Sequence, residues 1–367
     1  MSRSGSKGSK KVLILVLLLI ILIVAGVLAV MYFNSKPNTS DANAGVNNEP
    51  VVEVPKEEVD IIDINSKTRP IAIIVNNTPV AVKVQEGLNK AYMVYELPTE
   101  GNTSRLMALF KDVEDVTVGT NRSARHNFID YALESDAIFV HYGWSVYAQK
   151  EEQRGVIDFL NGLFDSPFWR NNPEKLPYEH TAYTSTAKIK QASEAKGYKL
   201  TTDTTPVLNY NVEDVDLSDK EDAQVADKVT IPYGSAPNIT SFTYNDETKM
   251  YERRENGEYC IDHNTKERVT TKNIIVQKVN YSMTDGNYYW DLKTIGSGEG
   301  YYITNGYAVP ITWEKTSRKS KTKYYYKDGQ EIEVSDGRTY IELQTTKQKL
   351  TIEANEPPVI EANTIAE

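Results

Sequence analysis

Residues 301–315 read YYITNGYAVPITWEK. Two runs rich in Tyr, Ile, Val and Thr flank Asn305-Gly306, and Asn-Gly supplies the positive φ that a two-residue hairpin turn needs. The same punctuation recurs at Asn256-Gly257, Asp285-Gly286, Asp328-Gly329 and Asp336-Gly337. Strand-forming runs separated by such turns predict antiparallel β structure over residues 228–345.

Working outward from there, residues 67–200 have a different rhythm. Ile71–Val75, Tyr92–Leu97, Arg105–Phe110 and Ala137–His141 read as strands. Ser123–Ser135, Tyr147–Leu160 and Ser185–Lys196 read as helices, the first with Ala124, Phe128, Ala132 and Leu133 near a 3.6-residue period. The expected fold class is α+β: a mixed α/β N-terminal domain, then a smaller antiparallel β-rich domain. The acidic, aperiodic residues 201–227 are the expected linker, and residues 346–367 the expected tail.

At the other end, residues 12–33 form an uncharged apolar run of 22 residues, and a spanning helix needs about 20. Arg3, Lys7, Lys10 and Lys11 precede it without an acid, which predicts a cytoplasmic N-terminus and a single-pass anchor in the cell membrane. Residues 34–66 read as a flexible spacer that holds the globular part outside the membrane. The whole chain carries 41 Lys and Arg against 51 Asp and Glu, a net charge of −10. Since its basic N-terminus stays inside, the exterior part is more acidic still, and no nucleic-acid partner is expected. The single cysteine, Cys260, cannot form an intrachain disulfide, which suits a Gram-positive exterior more than a eukaryotic secretory route.

Four segments could carry chemistry. In Asn121-Arg122-Ser123-Ala124-Arg125-His126, Ser123 is a plausible N-cap. Arg122 and Arg125 then crowd a helix N-terminus whose dipole disfavours cations, unless an anionic ligand or nearby acids offset them. Glu96 and Glu100, with Arg105 following, could be an acid–base pair or salt-bridge partners for the arginines. His141-Tyr142-Gly143-Trp144 leaves a strand end, a place where α/β sheets bind ligands, and offers a hydrogen bond and a stacking face. Pro177-Tyr178-Glu179-His180 and the residues through Ser185 form a loop dense in functional groups. His126, His141, His180 and His263 lack the HExxH spacing of zinc peptidases, so no metal or other cofactor is expected.

Taken together, Arg69-Pro70-Ile71-Ala72, Asn76-Asn77, Val94-Tyr95-Glu96, Glu100-Gly101, Arg105, Arg122-Ser123-Ala124-Arg125, His141-Tyr142-Gly143-Trp144, Phe168-Trp169-Arg170 and His180 resemble the bacterial family of unknown function typified by the YerB lipoprotein. So do Thr312-Trp313-Glu314-Lys315, Asp328-Gly329 and Gly337-Arg338-Thr339-Tyr340-Ile341 in the C-terminal part. The resemblance covers residues 67–345. It implies a membrane-attached exterior protein and no established activity. The chain departs from that pattern in its anchor, in Tyr340 where Trp is usual, and in Pro177-Tyr178-Glu179-His180 where Pro-His-Asn is usual.

The expected ligand-binding set is Asn77, Glu96, Glu100, Arg105, Arg122, Ser123, Arg125, His141, Trp144 and His180. The expected function is binding of an anionic cell-envelope component or an envelope protein. The alternative is a cell-wall polymer hydrolase or transferase that uses Glu96 or Glu100 with His141.

Overall fold

Strand β1, Ile71–Asn76, is buried along its whole length. Alternate side chains of a strand face opposite ways. Ile71, Ile73 and Val75 therefore enter one core, and Ala72 and Ile74 the other. A strand apolar on both faces belongs to a sheet covered on both sides. The computed structural model describes residues 58–355, apart from 173, 235–237, 285 and 287.

β1 pairs antiparallel with β3, Thr103–Phe110, which pairs antiparallel with β2, Met93–Thr99. β2 then pairs in parallel with Thr339–Thr345, in the register Met93↔Thr339 to Glu96↔Glu342. From one edge, the main sheet runs Phe159–Asn161, Ile138–His141, β1, β3, β2, Thr339–Thr345, Asn273–Val279, Gly296–Thr304, Tyr307–Lys315 and Gln224–Val225, with Lys323–Tyr325 added beside Tyr307–Lys315. Helix α1, His126–Glu134, sends Phe128, Ile129, Tyr131 and Ala132 into the core on one face. The other face packs on a second sheet, built from Lys228–Pro232, Ile239–Asn245 and Met250–Glu255 with shorter strands at its edges. Helix α2 is Val146–Gln153, and helix α3 is Thr186–Ala195, whose Ile189 joins the core on this second-sheet side.

This corrects the expected fold class. The described chain is mostly β, and the expected α/β and β-rich halves contribute strands to one eleven-stranded sheet. Nor is the C-terminal half purely antiparallel, because Asn273–Val279 and Thr339–Thr345 pair in parallel. Residues 201–227 bury Val207, Leu208 and Leu217 in the core, and Thr351–Glu353 of the expected tail is a strand beside Lys228–Pro232. At the end of the expected spacer, Ile62 is buried.

Among the described residues, no helix is long and apolar enough to cross a membrane. The apolar run 12–33 lies outside the described residues, so the expected spanning helix finds no support in the structure.

The hairpin turns at Asn256-Gly257 and Asn305-Gly306 do form, with φ of 52° and 89° at the first and 48° and 80° at the second. Asp336-Gly337 does other work: the Asp336 carboxylate accepts from the Asp60 and Ile61 amides. The expected helix over Tyr147–Leu160 stops at Gln153, and Phe159–Asn161 becomes an edge strand.

Candidate functional site at the carboxyl edge of the sheet

β1, β2, Ile138–His141 and Phe159–Asn161 all run in the same direction, so their carboxyl ends share one edge. Ligands of mixed and parallel sheets favour that edge. Residues 120–124 cross it, held by Asn76 N to Thr120 O at 2.8 Å, Tyr142 N to Arg122 O at 3.0 Å and Ala124 N to Gly143 O at 2.9 Å. That crossing, together with the turn between β2 and β3, brings Glu100, Arg105, Arg122, Ser123 and Arg125 together.

Arg125 Nε donates to Glu100 Oε2 at 2.7 Å, and its Nη2 donates to Oε1 of the same carboxylate. Arg105 Nη2 donates to Glu100 Oε1 at 3.2 Å, and its Nη1 to the Ser123 carbonyl at 2.5 Å. Arg122 has a weaker hold, a 3.3 Å bond from Nη1 to the Glu179 carbonyl. Burial lowers the Arg105 pKa to about 9, with Arg122 adding to the shift, and burial lowers Arg125 to about 10. Burial also lowers Arg122, against the pull of Glu179. Two guanidiniums thus share the Glu100 carboxylate in a poorly hydrated place, and the charge of Arg122 acts on Arg105 from beside them, which makes an environment short of negative charge.

Ser123 is not the helix cap. Its hydroxyl donates to the Tyr142 carbonyl at 3.2 Å, and α1 begins two residues later than that cap would set, with Arg125 at the N-cap position. His180 stands beside Arg122. Asn76 Nδ2 donates to His180 Nδ1 at 2.8 Å, and burial, followed by the charge of Arg122, lowers the imidazole pKa. The ring is therefore neutral at pH 7, with its proton on Nε2.

His141 and Trp144 lie on the same edge but are otherwise engaged. His141 is fully buried, its Nδ1 donating to the Gly143 carbonyl at 2.7 Å. Its Nε2 stands 2.9 Å from Glu152 Oε1, though too poorly aligned for a hydrogen bond. Phe139, Trp144 and Phe159 surround the ring, at centroid distances of 5.1, 6.2 and 6.0 Å.

Glu96 and Asn77 belong to a third group, between the two sheets. Glu96 is fully buried, and its Oε1 accepts from Ser104 Oγ at 2.5 Å, Thr240 Oγ1 at 2.8 Å and Asn77 Nδ2 at 3.0 Å. Arg253 Nη2 reaches Glu96 Oε2 at 2.9 Å and Glu255 Oε2 at 3.1 Å. Glu342, the register neighbour of Glu96, accepts from the Tyr233 hydroxyl. Burial pushes the Glu255 carboxyl up to about 7, opposed by Arg253 and assisted by Glu96. Burial, reinforced by Glu96, holds Glu342 well above the usual carboxylate range.

Neither Glu96 nor Glu100 is paired with His141: Glu96 pairs with Arg253, Glu100 pairs with Arg125, and His141 faces Glu152. The second-sheet members of the buried cluster went unnoticed in the sequence, although a signal was there. In Met250–Glu255, period-2 alternation puts Arg253 and Glu255 on the same face as Tyr251, so an inward Tyr251 carries both charges inward. Glu152, on an unremarkable polar helix, gave no such signal.

Two profiles of one family match the chain. The "Protein of unknown function (DUF3048)" N-terminal domain covers residues 59–199, and its C-terminal domain covers residues 229–341. The chain belongs to the DUF3048 family. It is similar to the YerB protein of Bacillus subtilis (strain 168), whose name marks it as a suspected lipoprotein, with 34% identity over 282 residues, 76% of this chain and 82% of that one. The crystal structure of YerB from Bacillus subtilis superposes with a TM-score of 0.69 at 31% identity, covering 78% of this chain and 94% of that one. The N-terminal segments through which the chain resembles DUF3048 proteins supply the carboxyl edge and half of the buried cluster. The seam between β2 and Thr339–Thr345 joins the two parts of the DUF3048 pair into one sheet.

Proposed function

We propose that this DUF3048 protein is an envelope-associated binding protein whose carboxyl-edge arginines hold an anionic group of an envelope polymer or of a partner protein. One observation carries the reading: Arg105 and Arg125 both pair with Glu100, and Arg122, whose charge acts on Arg105, has no carboxylate within ion-pair distance among the described residues. Arginine grips carboxylate and phosphate alike, through paired N–H donors. The name of the Bacillus subtilis relative supports placement at the envelope. Glu96 and His141 are sealed from solvent by other partners, which weighs against a hydrolase or transferase built on them.

The test is to incubate the purified protein with cell-wall sacculi and to measure both retention and released fragments. Retention without release is the expected result, weakened by salt and by Arg122→Ala. Soluble fragments that increase with time would instead indicate cleavage.

A further inference from the structure

Away from the arginine edge, a cavity of about 400 Å³ lies between the turn at Val82–Val84 and the hairpin that joins Met250–Glu255 to Glu258–Tyr259. That volume falls within the range of small-molecule sites. Pro79, Val82, Tyr259 and Ile261 make much of its lining, and Glu255 is its buried acidic member. The Tyr259 ring is fixed by the guanidiniums of Arg254 and Arg268, 3.5 and 3.9 Å from its centroid. The wall is therefore preformed.

The two oxygens of Glu255 differ. Oε2 accepts from Arg253 Nη2 at 3.1 Å, Thr240 Oγ1 at 3.1 Å and Asn77 Nδ2 at 3.3 Å. Oε1 has one long bond, from Asn256 Nδ2 at 3.4 Å, which leaves acceptor capacity on a cavity-lining residue. Behind it stand Glu96 and Glu342, and among the described residues the one guanidinium paired with these carboxylates is that of Arg253. A positively charged donor placed against Glu255 would complete the group. The exposed residues of the lining include Lys83 and Lys266 beside Glu258, which favour a negative outer end.

We propose that this cavity is a second binding site, independent of the arginine edge, for a ligand or side chain with an apolar stem, an amine at its inner end against Glu255 and an acid at its outer end beside Lys83 and Lys266.

Calorimetric titration of the full-length chain with 6-aminohexanoate, n-hexylamine and hexanoate tests it. The expected order is 6-aminohexanoate tightest, hexylamine weaker and hexanoate without measurable heat. Glu255→Gln should weaken 6-aminohexanoate by about tenfold or more, equivalent to about 1.4 kcal/mol. Ile261→Trp fills the cavity from an exposed position and leaves the buried carboxylates untouched. It should abolish binding with the melting temperature unchanged, and it decides the matter if Glu255→Gln does not fold. Hexanoate binding as tightly as 6-aminohexanoate, silence from all three probes, or full binding by Ile261→Trp would each overturn the proposal.

Discussion

Replacing Arg253 by Met should cost this protein about 3–5 kcal/mol of folding stability, the usual penalty for removing one partner of a buried ion pair. Arg253 is completely buried, and it is the guanidinium that faces Glu96 and Glu255 between the two sheets. Met fills the volume but leaves those carboxylates, with Glu342 behind them, uncompensated in a poorly polarisable core. Urea titration at pH 8 should show a lower midpoint with an unchanged slope. The deficit should shrink at pH 5, where the carboxyls can hold protons, and adding Glu96→Gln should recover part of it. An Arg253→Met midpoint equal to the wild type at pH 8 would mean that the cluster is not held by charge.

The second large effect is a fall in stability as pH rises. Glu255 has a folded-state pKa near 7 against an ordinary value of 4.5, so the folded protein binds this proton more tightly than the unfolded chain does. A raised acid stabilises most below its unfolded pKa and loses that contribution as pH climbs through the folded one. Across pH 4.5 to 7 the loss is on the order of 3 kcal/mol, at 1.36 kcal/mol per pKa unit. Glu342, raised by the same burial, acts in the same sense. His126 and His180 act oppositely. Burial lowers both, so they remove stability as pH drops below about 6.5. The difference between wild type and Glu255→Gln isolates the carboxyl. Wild-type unfolding midpoints should decline from pH 5 to pH 8 more steeply than those of the variant. Parallel profiles would show that the Glu255 proton is not linked to folding.

These effects rest on residues that were only partly legible in the sequence. The turn chemistry of Asn256-Gly257 and Asn305-Gly306 is local, because two adjacent residues at positive φ decide it, and both hairpins form as read. Strand partnership is not local. Nothing within Met93–Thr99 announces that its neighbour lies at Thr339–Thr345, and that pairing turns two expected halves into one sheet. The cluster Arg122-Ser123-Ala124-Arg125 was legible as chemistry from residue type alone. Its cap was misassigned because Ser123 has a competing acceptor, the Tyr142 carbonyl, that only the fold supplies. Glu96 and His141 looked like a pair because both leave strands at one edge, yet their side chains enter different layers.

The central claim is that the carboxyl edge is short of negative charge and takes an anion. Thermal unfolding of the wild type, Arg122→Ala and Arg125→Ala, each with and without inorganic phosphate, tests it most directly. A ligand at a hundredfold excess over its Kd adds about 2.7 kcal/mol to stability. Phosphate should raise the wild-type melting temperature. Arg122→Ala should keep its unliganded stability, since Arg122 makes one long bond to a carbonyl, and should lose the phosphate response. Arg125→Ala should be destabilised even without phosphate, because it deprives Glu100 of its main partner. A wild type indifferent to phosphate, or an Arg122→Ala variant that responds to it in full, would contradict the account.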